Sequence, residues 1–200
     1  MSADQLSRRA FLAAAGAAGA AWLAVDPDTL QAALVHARRT VALPPPYRFD
    51  ALTAAQAADL EAIAMRIFPS DGTPGAKEAG VIHFIDKALS TFAAPQKDDV
   101  VKGLDDLNQR VAAKWPGPAG GPTTSFAALR AEQQDELLKE IEKTPFFGQT
   151  RFASVVGMFG NPSYGGNQDQ AGWKLLGFEA HGIYQPPFGW YDAEAAKGGG

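Results

Sequence analysis

The sequence predicts an all-α protein: a single helical domain of about five helices with a long, ordered C-terminal loop region rich in glycine and aromatic residues. Three observations carry that expectation. Apolar residues recur at three- and four-residue spacings between positions 52 and 159. No alternating β-branched run is present, so a sheet is not expected. Proline and glycine cluster between the periodic segments, at 69–75, at 116–122 and beyond 160, where helices must stop.

Residues 1–25 read as a signal segment set apart from the working domain. Arg8-Arg9 is followed by an apolar run rich in Ala and Gly, the basic-then-apolar order of an export signal. Ser7-Arg8-Arg9-Ala10-Phe11-Leu12 resembles the twin-arginine motif, with Ala13 where a lysine is usual. An ordinary amphipathic helix is the alternative, but Ala10–Leu23 has no polar face. Cleavage after Ala20 and retention as an uncleaved anchor both remain open. Residues 26–50 are read as a linker, with one helix over Thr29–Arg39 and a stiff extended stretch at Pro44-Pro45-Pro46.

The helical domain, 51–200, opens at Leu52-Thr53. Thr53 with Gln56 forms a capping box, and Leu60, Ile63, Ala64, Ile67 and Phe68 mark one face until Pro69. Phe68–Gly75 is a turn-rich loop. A second helix is expected from about Ala76 to Phe92, with Val81, Ile82, Ile85, Ala88, Leu89 and Phe92 on its stripe. The third, Gln96 to Trp115, carries Val100, Leu104, Leu107 and Val111. Thr124 or Ser125 caps a fourth with Leu129, Leu137, Leu138 and Ile141 inward. Pro145-Phe146-Phe147 is a turn or a new N-terminus, and Phe152, Val155, Val156 and Phe159 make a short fifth helix.

Composition narrows the chemistry. The formal charge is -4, with no basic patch, so nucleic acid is not an expected partner. There are no cysteines, which removes thiolate nucleophiles, Cys-ligated metals and C-x-x-C-H haem attachment. The three histidines, His36, His83 and His181, fit no short metal spacing. Gly165-Gly166-Asn167 lacks the spacing of a phosphate loop. The remaining reading of 160–178 is a loop ordered by packing, with Tyr164, Trp173 and Phe178 as clamps. It builds either a binding surface or a cover for the helices. The tail adds Tyr184, Pro186, Pro187, Phe188, Trp190 and Tyr191 and is expected to wrap a partner.

Three blocks together resemble the gluconate 2-dehydrogenase subunit 3 family, the small or gamma subunit. They are the leader Ser7–Leu12, the stretch from Leu52-Thr53 through Ile67-Phe68-Pro69 and Asp71–Ala76 to Asp86, and Gly157–Asn167 with Gly172–Phe178. They cover most of residues 50–180. The resemblance implies an accessory subunit without a cofactor of its own. Its implied partner is an FAD-containing large subunit of the glucose–methanol–choline type, which oxidises a sugar or sugar acid and passes electrons to a haem c cytochrome or another acceptor. The implied location is the periplasm, reached through the twin-arginine export machinery, with membrane association through the complex or an uncleaved leader. Pro69, Asp71, Pro74, Tyr164, Gly165, Gly166, Asn167, Trp173, Phe178, Trp190 and Tyr191 are the expected partner interface. Two alternatives belong to other classes: an independent periplasmic metal- or carboxylate-dependent enzyme using Asp169, Glu179 and His181, and a free-standing ligand-binding protein.

Overall fold

A computed structural model describes residues 47–117 and 125–179, with Gly189, Glu194 and Lys197. The leader residues Ser7, Arg8, Arg9, Phe11 and Leu12, the Thr29–Arg39 helix, Pro44–Pro46, Thr124, His181, Trp190 and Tyr191 lie outside the described residues.

Among the described residues the fold is all-α, with six helices and no strand. Helix α1 spans Ala54–Ile67 and starts at the expected capping box: Thr53 Oγ1 accepts from the Gln56 N–H, and Gln56 Oε1 accepts from the Thr53 N–H. Such a cap stabilises a helix by about 1 kcal/mol. Leu60, Ile63 and Ala64 are buried along its stripe.

Helix α2 is Val81–Ser90, shorter at both ends than the stripe predicts. Residues 76–80 are turns, and Gly80 at φ 63° breaks the right-handed path just before Val81. The apolar stripe cannot report this, because side chains on a turn can point inward as readily as those on a helix. Only His83 and Ser90 in α2 escape full burial, so it is the central helix.

Helix α3, Lys97–Lys114, buries Val100, Leu104, Leu107 and Val111 as expected. Asp98 and Asp99 in its first turn and Lys114 in its last suit the helix dipole.

Ser125 does not cap a long helix. Phe126–Ala128 is a 3-10 turn, and α4 begins afterwards, at Ala131–Ile141. The break falls at Leu129 and Arg130, whose ψ of 152° and 155° are extended, and two side-chain acceptors hold the turn before it. The Phe126 N–H donates to Asn108 Oδ1 at 2.9 Å and the Ala127 N–H to Asp59 Oδ1 at 2.8 Å. Asn108 Nδ2 joins the two acceptors by donating to Asp59 Oδ2. Leu129 is buried from the turn rather than from a helical face.

Helix α5, Pro145–Phe159, starts at Thr144 and is longer than expected, with 15 residues. Its buried face is Thr150, Ala153, Ser154, Gly157 and Met158, whereas Phe152, Val156 and Phe159 are half-buried and Val155 is exposed. Small residues face inward because α5 packs closely on α2: a Cβ on Gly157 would lie 3.1 Å from Val81 Cγ1. Helix α6, Ala171–Leu176, was not expected, being only six residues long with a glycine inside.

Candidate functional site

The two segments singled out from sequence, 69–76 and 160–178, are joined through their neighbours: Phe68 packs on Phe159, and Gln168 bonds to Ala79. Pro69 to Pro74 are all exposed. The loop is closed at its base, where the Ala76 N–H donates to the Phe68 carbonyl at 2.9 Å. Glu78 ties it further, accepting from Ser70 Oγ at 2.5 Å and from the Gly75 N–H at 2.9 Å. Those donors hold the Glu78 carboxyl below its ordinary range, the Ser70 hydroxyl contributing most. Gly75 has no room for a side chain: a Cβ would lie 2.5 Å from the Phe68 carbonyl oxygen.

The second segment is organised around Asn167, which is fully buried. Its backbone N–H donates to the Gly157 carbonyl at 2.7 Å, and its carbonyl accepts from Gln170 at 2.9 Å. Its side-chain Nδ2 donates to the Gly160 carbonyl, and its Oδ1 accepts from the Gly172 N–H, both at 2.8 Å. The backbone around it is bent against preference: Asn167, Asp169 and Gln170 all have positive φ, at 46°, 54° and 58°. Asn and Asp tolerate this region better than Gln, for which the left-handed conformation costs about 1 kcal/mol or more.

The residues that flank the two segments are in contact. The Gln168 N–H donates to the Ala79 carbonyl at 2.9 Å. Phe68 meets Phe159 edge to face at 5.4 Å between ring centres. Trp173 Nε1 donates to the Phe159 carbonyl at 2.8 Å, and its ring meets Phe178 edge-on at 5.2 Å.

The sequence-nominated residues thus divide into three levels. Gly165, Gly166 and Asn167 are buried, Tyr164 and Trp173 are half-buried, and Pro69, Asp71, Pro74 and Phe178 are exposed. The outer level is apolar where α6 ends. Leu175 is 46%, Leu176 64% and Phe178 44% exposed, and with Val155 they are the exposed large hydrophobic side chains among the described residues. The signal for Leu175 and Leu176 was present in the sequence as two adjacent leucines before a glycine, beyond the last residue of the helical stripes.

Sequence reasoning missed a second construction on α2. The buried Asp86 carboxylate accepts from the backbone N–H groups of Asp50, Ala51 and Leu52 at 2.9 to 3.1 Å and from the Tyr47 hydroxyl at 3.1 Å. Lys87, also buried, pairs with Asp50. Burial, and then the neighbouring Asp86, pushes the Tyr47 phenol well above its ordinary range. The Tyr47 ring lies 4.0 Å from that of His83, whose buried Nδ1 has no hydrogen-bond partner. This clamp fixes the chain that enters α1. The available clue was a carboxylate inside an apolar stripe, a position that requires donors.

Among the described residues no group of three or more His, Asp or Glu side chains is placed to hold a metal. Asp169 and Glu179 are exposed, and His181 lies outside the described residues. A cleft of about 230 Å³ lined by Arg66, Asp135, Leu138 and Phe147 is smaller than most ligand pockets. Its Arg66 and Asp135 already neutralise each other through two contacts of 2.7 Å. No described helix is long and apolar enough to cross a membrane. What the geometry offers is an apolar ridge on a polar scaffold, a surface for contact.

No curated protein and no solved structure matches the sequence. A family model described as gluconate 2-dehydrogenase subunit 3 matches residues 54–180, from the first residue of α1 through α6. That span is well over half of the 200 residues and contains both segments of the surface. The chain belongs to the gluconate 2-dehydrogenase subunit 3 family.

Proposed function

We propose that this chain is the accessory, non-catalytic subunit of a periplasmic dehydrogenase complex. Its large subunit is an FAD-containing protein of the glucose–methanol–choline type that oxidises a sugar or sugar acid. FAD belongs to that large subunit, and a c-type cytochrome takes the electrons. This chain supports the folding, stability and export of the flavoprotein. Residues 1–25 serve as the twin-arginine leader, with Ser7, Arg8, Arg9, Phe11 and Leu12 read by the export machinery. Residues 26–50 link it to the helical domain.

The observation that carries the reading is the ridge of Leu175, Leu176 and Phe178, exposed inside the family-matched region. Exposed apolar side chains gathered in four residues of sequence favour a protein contact over a solvated surface. Trp173 and Tyr164 support the ridge, Gly165, Gly166 and Asn167 seat it, and Pro69, Asp71 and Pro74 form its neighbouring edge. Trp190 and Tyr191 extend the same contact along the tail.

The test is a gentle purification of the full-length tagged chain, leader included, from its own cells. The expected eluate is a near-equimolar complex with a large protein that shows oxidised-flavin absorbance and dehydrogenase activity on a sugar panel. A lone colourless subunit overturns the reading. Binding should also raise the subunit's melting temperature, since association stabilises only the folded form that it binds.

A further inference from the structure

We infer that Asn167 is the positioning residue of this surface: the presentation of Leu175, Leu176 and Phe178 depends on its one carboxamide, an inference that rests on the partner-binding reading above.

Helix α6 is too short to stand alone. It buries only Ala171 and Gly172 completely, with Trp173 half-buried. Its N-cap residue, Gln170, makes no side-chain hydrogen bond to it. The free N–H of Gly172 in the first turn is satisfied instead by Asn167 Oδ1, from five residues upstream. The other end of the same amide donates to the Gly160 carbonyl, just past the end of α5. Asn167 therefore joins the end of α5 to the first turn of α6, beside the second link that Trp173 makes to the Phe159 carbonyl.

The backbone between them favours release. Asp169 and Gln170 hold left-handed torsions while exposed, with no burial of their own to offset the strain. Without the carboxamide, the turn can relax to ordinary torsions and carry α6 off its seat. The close approaches at Gly166 and Gly172 would open with it: a Cβ at these positions would lie 2.2 Å from the Gly157 carbonyl and 2.0 Å from the Met158 carbonyl. Helices α1 to α4 have no hydrogen bond to the carboxamide and keep their own core.

The experiment uses the full chain with two variants. Asn167→Gly keeps the permissive backbone but removes the amide. Asn167→Asp keeps an acceptor for Gly172 but sets an oxygen against the Gly160 carbonyl. Both should lose roughly tenfold or more of the amide-exchange protection across 168–176 while α2 and α5 keep theirs. The melting temperature should fall by only about 3–6 °C. Co-elution of the flavin-absorbing subunit should fall as far as it does for the ridge variant Leu175→Ser/Leu176→Ser. Unchanged protection at 168–176 overturns the inference. So does a loss of protection that spreads equally to α2 and α5, which marks a merely structural role. Local loss with wild-type flavin co-elution also overturns it, because α6 would then move without consequence for the partner. If the ridge variant itself retains the flavoprotein, the partner-surface reading fails, whatever Asn167 does to the exchange pattern.

Discussion

The indole N–H of Trp173 donates to the main-chain oxygen of Phe159 across 2.8 Å, so a side chain from α6 satisfies a carbonyl in the last turn of α5. That carbonyl has no partner within its own helix, as is general for the final turn.

Trp173→Phe keeps most of the ring contact with Phe178 and deletes the donor. The expected loss is about 1 kcal/mol, read as a lower urea midpoint with an unchanged slope. An unchanged midpoint would mean that water replaces the indole at no cost.

Gly172→Ala tests the closeness of α5 and α6 by steric means. Its Cβ would lie 2.0 Å from the Met158 carbonyl oxygen, a backbone atom that cannot swing aside. Destabilisation of about 1–3 kcal/mol is expected. Gly177→Ala, with nothing within 4 Å, meets only the penalty of its φ of 64°. Equal effects of the two would argue against the tight seat.

Asp86→Ala removes the acceptor shared by three backbone N–H groups and the Tyr47 hydroxyl. Leaving buried donors unpaired should cost about 2–4 kcal/mol. Denaturant unfolding measures it, and a loss below about 1 kcal/mol would show that the clamp is dispensable.

Thr150→Val should be neutral or stabilising by up to about 1 kcal/mol. The Thr150 hydroxyl is buried without a partner beside a small void lined by Leu60, Ile85 and Leu89. Valine keeps the branched shape and removes the unsatisfied oxygen. A clear destabilisation in thermal unfolding would reveal a bound water at the hydroxyl.

His83 predicts the acid side of the stability profile. Burial holds its imidazole below the ordinary range; Asp86 opposes the shift and Lys87 adds to it. The unfolded chain therefore binds a proton near pH 6.5 that the folded chain resists. Its contribution is fully present above that pH and is lost as the pH falls toward the depressed folded value. Melting temperature should decline below about pH 6.5, and His83→Phe should flatten that decline relative to the wild type. Parallel curves for the two proteins would remove His83 as the cause.

Local chemistry made much of the frame legible. Thr53 and Gln56 announce the start of α1 because a capping box is complete within four residues. Val100, Leu104, Leu107 and Val111 reveal α3 because a one-sided helix repeats its burial every three or four positions. Gly80 and Ser125 misled for the converse reason. The apolar stripe passes straight through Gly80, and the helix expected at Ser125 is interrupted by extended torsions at Leu129 and Arg130, while Asn108 and Asp59 hold the turn before them.

By itself, then, the sequence determined an all-α class, most helix positions and a family resemblance, since periodicity, caps and motif blocks are written over short spans. Only the tertiary structure decided that Phe68 packs on Phe159 and that Gln168 bonds to Ala79. It also decided that Asn167 is buried while Leu176 is exposed, and that Asp86 holds residues 47–52 from more than thirty positions away. Those outcomes depend on which donors and acceptors the packed helices bring within about 3 Å of one another. No spacing along the chain encodes that distance.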